Sequence, residues 1–293
     1  MGRSELADPA IGGADPLRFV TYLAPGLPLA FFQGVAAYVG ATLGCRTTLT
    51  VDASHSGPPR DGSDPFSGNR VDVGFMCAPP YGWLRERSPS PVELLGPVPV
   101  FSDPRSGGAP TYFSEVVVRA DHPARSFAQL MARRALWAYN DPCSLSGYYA
   151  LLERFADEGA TEPPPLRCSG SHRASIDMVL GGQVEAASID ANVLALVMRS
   201  APDLTERLRM VECLGPYPVQ PVVVRAGMDS ETKAKIVTCL LSMARSPAGR
   251  RCLSRAGVTR FVAAPELSYH VTASITARCE RAFGASPMEA DGG

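Results

Sequence analysis

The chain has 293 residues, 45% hydrophobic and 19% charged, with Lys+Arg 28 against Asp+Glu 29 and a formal net charge of −1. That length accommodates two domains with packed cores. The even charge balance excludes the broad basic surface of a nucleic-acid-binding protein, so an anionic ligand has to be gripped by local groups.

The cysteines (Cys45, Cys77, Cys143, Cys168, Cys213, Cys239, Cys252 and Cys279) show no C-x-x-C spacing, which argues against a zinc ribbon or a thioredoxin-like motif. Most sit in or beside apolar runs and read as reduced, buried thiols of a reducing compartment. Residues 1–14 are rich in Gly, Ala and Asp and lack the apolar stretch of a signal peptide. Leu6 does not suit N-myristoylation, and no apolar run approaches a membrane span. As written, the chain reads as cytoplasmic and free of membrane insertion, unless a leader has been removed.

Residues 17–23 form a first predicted strand, with Pro25, Gly26 and Pro28 as the turn. A helix follows, with Leu29, Phe32, Ala36 and Val39 on one face and Gly40 and Gly44 near its end. Residues 46–51 alternate as a second strand. The stretch 53–70 is a polar Gly/Pro/Ser loop, and its His55 reads as a surface residue because no metal partner lies at ligand spacing. Residues 71–76 form a third strand that ends in a turn at 78–81. Strand, helix, strand, loop, strand is an α/β unit with a parallel sheet. Ligands of such sheets lie beyond the carboxyl ends of strands, which puts Tyr22 and Tyr81 on one rim. A packing role for the Tyr81 ring fits the sequence equally well.

Residues 94–100 are apolar and 103–110 form a Gly/Pro loop. Two later stretches share the core V-V-V-R-A, at 116–120 and 222–226. They read as a pair of strands crossing between lobes, with Tyr112 as a possible cleft wall. The expected division is a discontinuous first lobe, 16–118 plus 222–286, around a second lobe, 119–221, with flexible tails at 1–15 and 287–293. Inside the insert, the apolar run Ala135-Leu136-Trp137-Ala138-Tyr139 leads into Asn140-Asp141-Pro142-Cys143-Ser144-Leu145-Ser146-Gly147-Tyr148. Tyr148, Leu151, Leu152 and Phe155 then mark one helix face. The stretch is therefore a strand, a polar turn and a helix start. Free N–H groups, the positive end of the dipole and the Ser144 and Ser146 hydroxyls suit an oxyanion. An ordinary serine N-cap would look the same. Cys168-Ser169-Gly170-Ser171-His172 opens another helix, and residues 184–190 form a strand ending in Asp190. Residues 230–244 and 247–256 are predicted helices, as is the tail at 267–283.

Four of these pieces, in order, resemble the phosphate/phosphonate-type substrate-binding proteins of ABC importers. They are the strand ending in Pro79-Pro80-Tyr81, the turn matching D-P-x-S-T-S-G, Gly170-Ser171-His172, and the strand ending in Asp190. The resemblance covers roughly 17–283. It implies a two-lobed type II periplasmic-binding-protein fold, with mixed sheets flanked by helices and two crossover strands as hinge. It also implies a small oxyanion of phosphate, phosphite or phosphonate type held by Ser144, Ser146 and the N–H groups of Leu145 and Gly147, with His172 and Tyr81 as further donors. Asp190 then has to accept from a P–OH group or pair with a ligand amine. Leu145 stands where the family has threonine. No metal, cofactor or catalytic residue is implied. A monomer is expected, with an ABC permease as possible partner. An enzyme on the same scaffold would put Cys143 under suspicion, as a thiol at a helix N-terminus with His172 as its base. A cytoplasmic sensor of the same fold is the third reading.

Overall fold

The computed structural model describes residues 15–22 and 26–284. Leu23 and Pro25 of the expected first strand and turn, and the expected tails apart from Asp15, lie outside the described residues.

The first sheet is built from β1 (Leu17–Tyr22), β2 (Thr47–Asp52), β3 (Val73–Phe75), β4 (Val92–Leu94) and, much later in the chain, β11 (Val222–Arg225), in the order β2-β1-β3-β11-β4. The pairings β1–β2 and β1–β3 are parallel, as the α/β pattern requires. β11 runs antiparallel to both its neighbours, so the sheet is mixed. α1 (Leu29–Leu43) crosses over from β1 and buries Phe31, Phe32, Val35, Ala36 and Val39; Gly44 ends it in the left-handed region at φ 69°. α2 (Ala78–Glu86) follows β3 directly. The expected turn at 78–81 is therefore the first turn of a helix. Pro79 and Pro80 fall where a helix has no N–H partner to lose.

β5 (Pro97–Phe101) pairs antiparallel with β12 (Val258–Ala263). The chain then passes over 102–110 into the second sheet, β10-β6-β9-β7-β8. Its members are β6 (Thr111–Arg119), β7 (Trp137–Tyr139), β8 (Leu166–Cys168), β9 (Ala186–Asp190) and β10 (Leu208–Pro218), and the chain returns over 219–221. The two V-V-V-R-A strands lie one in each sheet, β6 in the second and β11 in the first, each beside one of these passes. β7 is parallel to β8 and β9, while β6 is antiparallel to β9 and β10. β9 is buried along its whole length, which explains its unbroken Ala-Ala-Ser-Ile run.

Around the second sheet lie α3 (Phe127–Ala132), α4 (Ala150–Asp157), α5 (His172–Leu180), α6 (Ala191–Ser200) and α7 (Leu204–Arg207). α8 (Ser230–Ser242) and α9 (Pro247–Ser254) return to the first lobe, and α10 (His270–Phe283) packs on both α2 and α4. One apolar core runs from Phe19 and Phe75 through Trp83 and Tyr149 to Trp137, so the two lobes meet in contact. Val117, Ile176, Val179 and Ile189 belong to a smaller core behind the second sheet.

Candidate anion-binding site

The serine turn is wound more loosely than the α-helix start expected of it. Ser144 is the N-cap, with extended backbone, and its Oγ accepts the Gly147 N–H at 3.1 Å. Leu145–Tyr149 then form a π-helical turn, in which the Tyr149 and Ala150 N–H groups reach back five residues to the carbonyls of Ser144 and Leu145. Such turns recur at functional sites because they re-aim a helix end. Two buried serines brace it: Ser114 Oγ on β6 and Ser188 Oγ on β9 both donate to the Ser146 carbonyl, at 2.8 and 2.9 Å. Gly147 is required for space. A Cβ there would lie 1.7 Å from Asn140 Oδ1 and 3.0 Å from His172 Cε1.

Helix N-termini from both lobes gather on this turn. Ser171 caps α5 by accepting the Ala174 N–H, which makes His172 the first helical residue. His172 Nε2 then lies 3.3 Å from Ser146 Oγ. Asp190 caps α6, accepting the Asn192 N–H at 2.8 Å through Oδ1, while Gln220 Nε2 donates to Oδ2 at 3.1 Å. Asp190 is thus a helix cap as well as a cleft residue, and the same carboxyl faces Gln220 on the return pass. From the first lobe, Cys77 sits at the start of α2, which has no side-chain cap. Its thiol accepts the Leu145 N–H at 3.3 Å across the cleft. Tyr112 is buried on β6, with its hydroxyl bonded to Ser146.

The electrostatics follow from burial. Desolvation lowers the His172 pKa to about 4 against the pull of Asp141, so the imidazole is neutral near pH 7. Desolvation raises Asp190 to about 7, opposed by the Asn192 and Val193 N–H groups and by the Gln220 and Asn192 side chains. Burial pushes the Cys77 thiol up to about 12, so it stays protonated. Among the described residues no lysine or arginine hydrogen bonds to any of these groups. Buried polar atoms of the site without a hydrogen-bond partner include both amide atoms of Asn140, His172 Nδ1 and Gln220 Oε1.

Ser144, Leu145, Ser146, Gly147, His172, Tyr112 and Asp190 are brought together. Tyr81 and Tyr22 are not joined to them by any hydrogen bond. The Tyr81 hydroxyl donates to Glu266 at 3.2 Å and its ring packs edge-on against Tyr269, the packing role the sequence also allowed. Tyr22 is buried at the end of β1 with its hydroxyl unpartnered. Sequence reading missed Asn140, Cys77, Ser114, Ser188 and Gln220. The serines carried a signal, as lone hydroxyls inside apolar strands.

His55 lies at the surface, half-exposed, and is also partnered: its Nδ1 lies 2.9 Å from Asp141 Oδ1, and Ser56 N–H and Oγ bond the other carboxylate oxygen. One expectation is corrected. The Cys143 thiol, suspected of a lowered pKa, is raised instead by burial and by Asp141, and His172 bonds Ser146 rather than Cys143.

A family model described as "ABC transporter, phosphonate, periplasmic substrate-binding protein" matches residues 30–269. The phosphonates-binding periplasmic protein of Escherichia coli K12 is 27% identical over 168 residues, 55% of this chain and 48% of that protein, so the match spans about half the relative's length. Among solved structures, the fold matches a binding protein component of an ABC phosphonate transporter from Pseudomonas aeruginosa, with TM-score 0.77, 16% identity, and 92% and 88% of the two chains covered. It also matches a protein from Prochlorococcus marinus solved with methylphosphonate, with TM-score 0.72, 14% identity, and 91% and 100% covered. At these identities the structural likeness is one of fold. The fold is the mixed α/β, two-lobed periplasmic-binding-protein type, and because the family match runs through both lobes, the chain belongs to the periplasmic substrate-binding proteins of phosphonate ABC transporters.

Proposed function

We propose that this protein binds a small oxyanion of phosphate, phosphite or phosphonate type between its lobes and delivers it, as a monomer on the outer side of the membrane, to an ABC permease. The observation that carries this reading is the meeting of α2, the π-helical turn of α4, and α5 by their N-terminal ends, one from the first lobe and two from the second. Converging positive helix ends and hydroxyls favour a negative ligand without any fixed cationic side chain. Among the described residues no helix is long and apolar enough to cross a membrane.

Ser146 Oγ and His172 supply the donors, joined by the Leu145 and Gly147 N–H groups once a ligand oxygen takes them over from Cys77 Sγ and Ser144 Oγ, and Asp190 supplies discrimination. Pushed up to about 7, its carboxyl carries a proton for much of the time near neutrality. It can then donate to an oxyanion, or ionise to meet a ligand amine. The family consists of substrate-binding transport components rather than enzymes, and the buried, protonated Cys143 thiol gives no support to nucleophilic catalysis.

Calorimetric titration with phosphate, methylphosphonate and 2-aminoethylphosphonate tests this. Saturable binding of at least one without turnover is expected, weakened in Ser146→Ala by about 1–3 kcal/mol. Absence of binding to all three, or full affinity in the variant, would refute the assignment.

A further inference from the structure

The turn leading into the proposed anion site carries a second constellation that the anion does not use. His55 Nδ1, an Asp141 carboxylate oxygen and Cys143 Sγ all lie within 4.8 Å of one another. His55 comes from the 53–70 loop of the first lobe, whereas Asp141 and Cys143 come from the turn after β7 in the second. The Cys143 side chain is fully buried and makes no hydrogen bond among the described residues. The His55 side chain is 31% exposed, which leaves an approach from solvent.

We propose that His55, Asp141 and Cys143 form a zinc(II) site that bridges the two lobes. Imidazole nitrogen, carboxylate oxygen and thiolate sulfur are all zinc ligands, with bonds of about 2.0–2.3 Å. A tetrahedral ion separates such donors by roughly 3.4–3.6 Å. His55 Nδ1 and Asp141 Oδ1, now 2.9 Å apart, have to part slightly, and the sulfur has to close in. On binding, the Cys143 thiol releases its proton to solvent and the sulfur lone pair forms the metal bond, with no change of oxidation state. Thiolate plus carboxylate then carry two negative charges against the two positive charges of the ion. The buried cluster is thereby neutral, which a lone buried thiolate beside Asp141 would not be. The fourth position falls to water, or to the hydroxyl of Ser56 beside the second carboxylate oxygen. The site differs from the anion site in its residues and in the sign of its ligand, so it does not depend on that assignment.

The test uses the full chain freed of metal with a chelator. Zinc(II) is titrated by calorimetry, and cobalt(II) serves as an optical probe. One equivalent of each should bind, with the cobalt form showing tetrahedral ligand-field absorption and a thiolate-to-metal charge-transfer band. Cys143→Ser should abolish that band, and His55→Gln should weaken zinc binding by more than about tenfold. A Cys168→Ser/Cys213→Ser chain, lacking the two exposed thiols, should retain both signals. If Cys143→Ser fails to fold, His55→Gln decides alone. Absence of saturable binding, a cobalt spectrum without thiolate character, binding unchanged in His55→Gln, or loss of binding in the Cys168/Cys213 variant would each overturn the site. In those cases the His55–Asp141 contact is an ion pair and nothing more.

Discussion

Replacing Asp190 by asparagine tests the electrostatics of the pocket in the absence of ligand. Burial raises the carboxyl from its ordinary 3.8 to about 7. At about 1.36 kcal/mol for each tenfold change in proton affinity, ionising it in the folded protein costs about 4 kcal/mol more than in the unfolded chain. The folded state therefore holds the proton more tightly. Its full contribution to stability is present below about pH 4 and is lost as pH rises through about 7. An asparagine at this position would stay neutral throughout. Its amide oxygen would still cap α6, and its amide nitrogen could donate to Gln220 Oε1, which has no partner at present, once that amide turns over. Urea denaturation from pH 4 to pH 8 should show Asp190→Asn gaining on the parent chain as pH rises, by up to about 4 kcal/mol, and levelling off above pH 7. Parallel curves would mean that the carboxyl titrates as it does in solution, and the account of Asp190 would fail.

Cys77→Ala removes the acceptor of the buried Leu145 N–H. The ligand-free protein should lose about 1–3 kcal/mol, and saturating methylphosphonate should restore much of it by offering that N–H an oxygen. Equal losses in urea titrations with and without ligand would contradict a Leu145 N–H that faces the anion. Gly147→Ala drives a Cβ into Asn140 Oδ1 and should cost about 1–3 kcal/mol, with partial recovery when Asn140→Ala is added. Thermal unfolding of the single and double variants checks this, and a silent Gly147→Ala would count against the packing described.

The residues of the site that could be read in advance are those whose chemistry sits next to them in the chain. The apolar run before Asn140, the hydroxyls after it and the helical spacing from Tyr148 all lie within one short segment, as do Ser171 with His172 and Ile189 with Asp190. What escaped depends on contacts made at long range. The partner of His55 is 86 positions away, so no local spacing could reveal it. Cys77 looked like a small hydrophobe in an apolar run; only its place opposite Leu145 makes it a hydrogen-bond acceptor. The helix at Ala78 was read as a turn across its two prolines, although the first helical turn tolerates them. The looser winding at Leu145–Tyr149 depends on Ser114 and Ser188, which arrive from two other strands. β10 was overlooked because its exposed positions and the Gly215-Pro216 step break any regular alternation.

The C-terminal helix limits how the molecule can gape. α10 is tied to the second lobe by Arg278–Asp157 at 2.6 Å and by the Cys279 thiol on the Tyr149 carbonyl. It is tied to the first lobe by Glu280 on Arg60 at 2.7 Å. Just before it, the Tyr269 hydroxyl holds the Val219 carbonyl on the return pass. While those ties hold, α10 restrains the lobes on its own side, so any parting of the lobes would open widest at the lip farthest from it.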